Sequence, residues 1–514
     1  MTITAGSSLN AERRQRELDA LASGEVVDLL VVGGGITGVG VALDAATRGL
    51  SVALIERRDL AHGTSRWSSK LIHGGLRYLA QGQLGIAYES ARERDVLMRR
   101  TAPHLVRRLP WVGAFTPDVK RSTAAVGRVG WATADVLRKA SGTPVALLPR
   151  AKYVDSDVVL AAVPGLAAAG LRGGVTYADG QVEDDARLVV TVARTAAAYG
   201  ARILTYCAAE SIDGTGAQVR DERTGATLDI RARHVVNATG VWADTLATGV
   251  RLTPSKGAHL VLRASTLGSP NVGVTVPVPG HAFRFVFAVP IADDRVIVGL
   301  TDDPVNEPIP DVPRADDTDV AFLLGTLSRA LERPLTEADV IGSYAGLRPL
   351  LAGESGSTAD LSRRHAVIEG ADGVITVVGG KLTTYRQMAE DTVDKLASRP
   401  GMDAGPCRTK SVPLVGAASP PALAAVRADE RMVRKYGAEA VAVLQLAGGD
   451  PALLEAIAPT VPTTRAELMF GLRHEGALSV DDLLERRTRI GLVPSDRALA
   501  EPAAQEMTAA VLSC

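Results

Sequence analysis

A short apolar run that ends in three consecutive glycines is the strongest constraint this sequence carries. Residues 28–56, DLLVVGGGITGVGVALDAATRGLSVALIE, read as strand, glycine turn, helix and second strand. Gly33, Gly34, Gly35 and Gly38 stand in a GxGxxG pattern. Such a turn uses glycine for a tight reversal, for backbone approach to a pyrophosphate, and for close packing of helix on strand. The helix that follows presents N–H groups to the phosphates. Glu56 ends the second strand, 21 residues after Gly35, where a carboxylate accepts ribose hydroxyls. Strand, turn, helix and acid agree on a Rossmann-like dinucleotide site built from Gly33, Gly34, Gly35, Gly38 and Glu56. Phosphate chemistry alone does not separate NAD from FAD.

The chain of 514 residues exceeds what one hydrophobic core usually supports, so several domains are expected. Residues 1–25 read as a polar, helix-prone extension from Asn10 to Ala22, without the apolar core of a secretory signal. Residues 57–80 read as a loop rich in Ser, Gly and Arg, and residues 84–108 as helical with dense arginine. A second α/β passage runs from Asp184 to Tyr206, followed by a strand in HVVNATG at 234–240. Between Lys256 and Asp303 extended segments such as AHLVLR and FRFVFAVP alternate with Pro and Gly turns, which predicts an inserted antiparallel sheet, mainly at 256–345. The α/β texture returns with VITVV at 374–378, the turn Gly379–Gly380 and a helix over 383–396. The expected organisation is an α/β dinucleotide-binding domain with that inserted sheet over 26–400, and a C-terminal helical domain over 401–514.

Composition narrows the class. The 57 basic residues nearly balance 58 acidic ones, for a net charge of -1, which argues against a nucleic-acid protein. The three cysteines, Cys207, Cys407 and Cys514, form no CxxC, so no disulfide framework, metal ribbon or dithiol centre is expected, and intracellular residence fits best. No apolar run reaches the roughly 18 residues of a spanning helix.

The segment Thr64-Ser65-Arg66-Trp67-Ser68-Ser69-Lys70-Leu71-Ile72-His73-Gly74-Gly75-Leu76-Arg77-Tyr78-Leu79 closely resembles the second flavin-contacting loop of FAD-dependent glycerol-3-phosphate dehydrogenases, in the amino-acid-oxidase-like flavoprotein superfamily. HVVNATGVWAD at 234–244, GSYAGLRPLL at 342–351 and VVGGKLTTYRQMAE at 377–390 resemble the same family and arrive in its order. The resemblance covers about 26–400; beyond residue 401 it is loose. It implies FAD as cofactor, glycerol 3-phosphate as substrate and a quinone as acceptor. It also implies cofactor contacts at Thr64, Ser65, Ser68, Ser69, Gly240, Gly380, Leu382 and Thr383. Hydroxyls and amides in 64–69 suit phosphates, and the helix after Gly380 favours negative charge on reduced flavin.

By the same resemblance Arg77, Tyr78, Arg348 and Lys381 bind substrate, and His259, Arg348 and Lys381 are the catalytic residues. Arginine suits a phosphate because its planar fork donates two parallel hydrogen bonds. His259 is the candidate base, since imidazole titrates near neutrality; beside a strand it could equally be a packed residue. Arg363 is a further candidate phosphate contact, and His73 reads as equally well structural. A disulfide oxidoreductase would need a second GxGxxG and a CxxC, which this sequence lacks. A flavin sensor would not need the cations. A glycerol-3-phosphate oxidase using oxygen shares the motifs and remains the alternative. Residues 99–139 hold nine basic side chains against two acidic ones, with Trp111 and Trp131 among them. That composition suits either a solvated face or an interfacial segment that attaches the protein peripherally to the inner face of the cell membrane, from the cytoplasm. A homodimer is compatible with the sequence.

Overall fold

In the computed structural model, which describes residues 4–75, 78, 82–119, 135–281, 284–305, 308–352 and 364–512, the first two apolar runs become adjacent parallel strands, Val26–Val32 and Val52–Glu56. Leu29 and Val31 pack toward the helices Ile36–Thr47, Asp185–Ala198 and Tyr385–Ala397. Leu30 and Val32 face the opposite way, toward the helix Ala11–Ala22 and the hairpin Cys207–Asp213 with Gly216–Asp221. Burial on both faces is why these strands read as continuous apolar runs. Thr227–Asn237 and Ile375–Gly379 extend the parallel sheet on one side and Arg202–Thr205 on the other. Val32 pairs with both Ile55 and Asn237, so three strand ends converge at one edge, where open α/β sheets bind their ligands. The N-terminal segment is part of this body. Leu21 is wholly buried, and Arg14 donates to Asp221 and to the Thr205 carbonyl.

Among the described residues the second sheet has ten strands, eight of them in the order Asp303–Pro304, Ser255–Arg263, Arg295–Gly299, Phe285–Ile291, Gly273–Pro277, Val106–Ala114, Gly174–Val182 and Leu71–Ile72. Val340–Arg348 lies beside Ser255–Arg263, and Lys152–Val154 beside Gly174–Val182. The expectation of a sheet mainly within 256–345 was incomplete: four strands come from residues 71–182. The helical reading of 84–108 also fails in part. The helix Leu84–Val96 runs into a wide turn at Leu97–Thr101, and Val106–Ala114 is a strand paired along nine positions with Gly174–Val182. Its arginines belong to that pairing: Arg107 donates to Gln181 and forms an ion pair with Glu183 at 3.1 Å. Helices Ser156–Ala162 and Asp317–Ser328 cover one face of the sheet, and the other faces the dinucleotide turn across a cavity.

Residues beyond 407 form two small apolar clusters around the helices Glu430–Tyr436, Ala440–Gln445, Arg465–His474 and Pro494–Leu512. Buried charges fasten them to the rest. Asp59, wholly buried just past Glu56, accepts from Arg486 at 2.6 Å and Arg487 at 2.8 Å. Burial alone would raise the Asp59 pKa, but the two guanidiniums outweigh it and hold the carboxyl below its usual range. Arg187–Glu475 and Arg194–Glu439 are further buried pairs across the same boundary. Removing one partner leaves an uncompensated buried charge. Asp59→Asn is therefore expected to cost about 3–5 kcal/mol. Glu430→Gln, which breaks an exposed pair with Arg434, should cost less than about 1 kcal/mol. Denaturant titration of the two variants measures the difference, and equal midpoints would contradict this role for Asp59.

Candidate active site

The glycine turn leaves the strand Val26–Val32 at Gly33, whose φ of +115° L side chains avoid, and where a Cβ would stand 2.5 Å from the Ala238 carbonyl oxygen. A Cβ on Gly38 would stand 1.8 Å from the Gly33 oxygen, so only glycine lets the helix Ile36–Thr47 start this close to the strand. Glu56 ties the turn down: its carboxylate accepts from the Gly34 N–H at 2.6 Å and from the Arg58 N–H at 2.8 Å. Burial raises the Glu56 pKa, against the pull of those two amides.

The turn opens on a cavity of about 840 Å³ between the two sheets. Of the residues expected at the cofactor, Gly33, Gly35, Glu56, Thr64, Ser65, Ser68, Ser69, Gly240, Gly380, Leu382 and Thr383 line it. Gly34 and Gly38 do not; they permit the turn rather than wall the cavity. The hydroxyls expected to meet phosphate are engaged within the protein. Thr64 donates to the Leu347 carbonyl at 2.6 Å, Ser65 accepts from the Ile36 N–H at 2.9 Å, and Ser68 donates to Asp185 at 2.8 Å. They position the loop. Several buried polar atoms of cavity-lining residues, among them Thr383 Oγ1, His259 Nδ1 and the Nε1 of Trp67 and Trp111, have no hydrogen-bond partner among the described residues, which fits a cavity made for a polar ligand. The volume, the glycine turn and these orphaned atoms fit a dinucleotide together with a small substrate.

The substrate side is built on two paired strands, with His259 opposite Tyr344 and Ser255 opposite Arg348. His259 is buried, its ring stacked on Tyr344 at 4.7 Å and its Nε2 2.8 Å from Ser69 Oγ. Burial first, then the neighbouring Arg348 and Lys70, push the imidazole down to about 3, so it is neutral near pH 7. Arg348 lies over Gly257, where a Cβ would come within 2.3 Å of Nη2, and donates to Ser255 Oγ and Asp302 at 3.0 Å each. Lys381, in the turn before Leu382–Thr384, donates to Ser90 Oγ at 2.6 Å and sits 4.1 Å over the Tyr78 ring. His259, Arg348, Lys381, Tyr78 and His73 thus share one cavity with the cofactor positions. Arg77 and Arg363 lie outside the described residues.

Sequence reasoning missed the supports. Under the 64–69 loop, buried Lys70 donates to Asp185 at 2.7 Å, and the same carboxylate holds Ser68 through its N–H and hydroxyl. Asp302, Ser255 and Ser90 orient the cations and were not anticipated either. Each lies far along the chain from its partner, so no spacing signals the pair.

Residues 28–386 match the model of the family described as FAD dependent oxidoreductase, and residues 407–512 that of the C-terminal domain of alpha-glycerophosphate oxidase. Glycerol-3-phosphate dehydrogenase 1 of Mycobacterium tuberculosis is 49% identical over 513 residues, covering 98% of this chain and 99% of that protein. Glycerol-3-phosphate dehydrogenase of Synechocystis is 32% identical over 506 residues, 91% of this chain and 90% of its own. Among solved structures, the glycerol-3-phosphate dehydrogenase from Bacillus halodurans complexed with FAD superposes with a TM-score of 0.77 at 28% identity, covering 98% of this chain and 94% of that one. The L-alpha-glycerophosphate oxidase from Mycoplasma pneumoniae, at 17% identity with 76% of this chain and 98% of its own covered, shares the fold with a TM-score of 0.58. With the oxidoreductase match spanning most of the chain and a relative aligned along its full length, the protein belongs to the FAD-dependent glycerol-3-phosphate dehydrogenase family, and FAD is its cofactor.

Proposed function

We propose that the protein oxidises sn-glycerol 3-phosphate to dihydroxyacetone phosphate and passes the electrons to a membrane quinone. The observation that carries the reading is the meeting of Arg348, Lys381 and a neutral, buried His259 in the cavity that the glycine turn opens. Bound FAD supplies the hydride acceptor. Arg348, braced by Asp302 and Ser255, and Lys381, braced by Ser90, supply positive charge for the phosphate dianion. Arg77 joins them by family resemblance. Hydride leaves the carbinol carbon as the hydroxyl proton passes to His259 Nδ1, the ring nitrogen with no hydrogen-bond partner among the described residues, and the carbonyl forms. Ser69 holds the other ring nitrogen. Arg348 is among the charges that depress the imidazole, so a phosphate dianion seated on Arg348 offsets part of that effect and makes His259 a better base when substrate is bound.

A second reading, oxidation with oxygen as acceptor, is supported by the oxidase-type C-terminal match. The quinone reading places the protein in the cytoplasm at the inner membrane face. No helix among the described residues is long and apolar enough to cross a bilayer. Of the basic stretch Arg99–Lys139, Arg99, Arg100, Arg108 and Lys139 are exposed, whereas Trp111 is buried in the second sheet. Lys120, Arg121, Arg128 and Trp131 lie outside the described residues. Exposed cations near anionic lipid contribute about 1 kcal/mol each, so sedimentation with anionic liposomes should fall as salt rises; salt-independent sedimentation would sink this attachment.

Arg348→Ala should lower kcat/KM for glycerol 3-phosphate by roughly ten- to a hundredfold, the worth of a charge-assisted contact, with flavin content unchanged. Arg348→Lys should restore only part of it, because the fork is lost. Full activity in the alanine variant would remove Arg348 from the substrate. The acceptor is tested by following quinone-analogue reduction without oxygen, and peroxide release with it. Peroxide formation outpacing quinone reduction would favour the oxidase reading.

A further inference from the structure

The cavity continues past the cations along an unbroken row of rings on the second sheet. Tyr344 stacks on His259 at 4.7 Å between centroids, His259 lies 6.1 Å from Phe287, Phe287 6.3 Å from Trp111, and Trp111 5.8 Å from Tyr177 in a near-parallel stack of 8°. His259, Phe287, Trp111 and Tyr177 all line the cavity. Strands lie about 4.8 Å apart, and four such steps separate the strand of His259 from that of Trp111. Side chains leaning toward one another shorten that span, and ring-to-ring steps of 6.1, 6.3 and 5.8 Å carry the row from the histidine to Tyr177, farther than a three-carbon phosphate extends.

The far end has different chemistry from the near end. Its nearest carboxylate, Asp179, is already paired with Arg94 at 2.6 Å and accepts the Gly74 N–H at 3.0 Å. Trp111 is only 4% exposed, yet its Nε1 has no hydrogen-bond partner among the described residues. A buried N–H left without an acceptor is costly and marks a place where something else accepts. Phe285, 42% exposed on the strand next to that of Gly273–Pro277, gives this end an apolar rim. Flat aromatic walls, the Trp111 N–H and a carboxylate nearby favour a planar, uncharged ring that carries a carbonyl oxygen over a phosphate.

We propose that the Phe287–Trp111–Tyr177 end of the cavity is the acceptor's seat, holding a quinone ring with one carbonyl oxygen accepting from Trp111 Nε1. The proposal rests on the quinone reading and deepens it. In the step served there, two electrons and two protons leave reduced FAD for the quinone, whose two C=O groups become the two O–H groups of the quinol. Substrate and acceptor then meet chemically distinct ends of one cavity.

The test uses FAD-loaded protein without oxygen, reduced with glycerol 3-phosphate and then mixed with a short-chain benzoquinone. Trp111→Phe keeps a ring and removes the N–H. The quinone concentration for half-maximal reoxidation should rise roughly two- to tenfold, the worth of one neutral hydrogen bond. The rate of flavin reduction by glycerol 3-phosphate, and reoxidation by ferricyanide, which needs no ring seat, should not change. Phe287→Leu should weaken quinone use as well, and it decides the matter if Trp111→Phe fails to hold FAD. Quinone use as good as native in whichever of these variants holds FAD would overturn the acceptor seat. Failure of the native reduced protein to be reoxidised by quinone at all would overturn the quinone reading itself, and the seat with it.

Discussion

The contact of Gly38 against the carbonyl of Gly33 sets the geometry on which the site depends. With no side chain at either position, the helix Ile36–Thr47 begins directly over the end of the first strand. That brings its N-terminus to the edge where Val32, Ile55 and Asn237 end in register. Glu56 and Ser65 then hold the turn from two sides through the Gly34 and Ile36 amides. The loop that carries Ser65 continues into Ser68 and Ser69, so one fixed turn passes its position on to the residue that faces His259. A rigid constellation of this kind is what a hydride transfer needs, because misplacement by a fraction of an ångström is costly in rate.

Buried charge does the rest of the positioning. Lys70, at φ +57°, is held by Asp185, and Asp185 also anchors Ser68. On the far side of Glu56, Asp59 is clasped by Arg486 and Arg487 of the C-terminal segment. The C-terminal segment therefore braces the loop that follows Glu56 as well as covering the fold. The same dry surroundings that make these pairs rigid keep His259 uncharged. Neutrality is the state in which an imidazole can take a proton, and the positive charge of Arg348 that deepens it is the charge a bound phosphate would offset.

Local features were legible in the sequence and distant pairings were not. The strand–turn–helix–strand unit with Glu56, and the turn at Gly379–Gly380 before a helix, are encoded within a few residues, and the structure has them where the pattern set them. The helical expectation over 84–108 ran into the start of the strand Val106–Ala114 because arginines suggest a helix face, whereas the strand character comes from pairing with Gly174–Val182, far along the chain. The partners of Arg348 and Lys381 are similarly remote: Asp302 and Ser90 stand 46 and 291 residues away. Trp111 invited an interfacial reading, since a tryptophan among arginines looks the same in sequence whether it meets lipid or a cavity wall. Only the sheet decides which.

The most direct test of the central claim is an anaerobic titration of the purified yellow protein. One equivalent of glycerol 3-phosphate should bleach the oxidised flavin absorption and yield one dihydroxyacetone phosphate per flavin, while glycerol, which leaves the cationic pocket unpaired, should bleach it poorly even in large excess. Bleaching by glycerol as effective as by glycerol 3-phosphate, or none by either, would contradict the account.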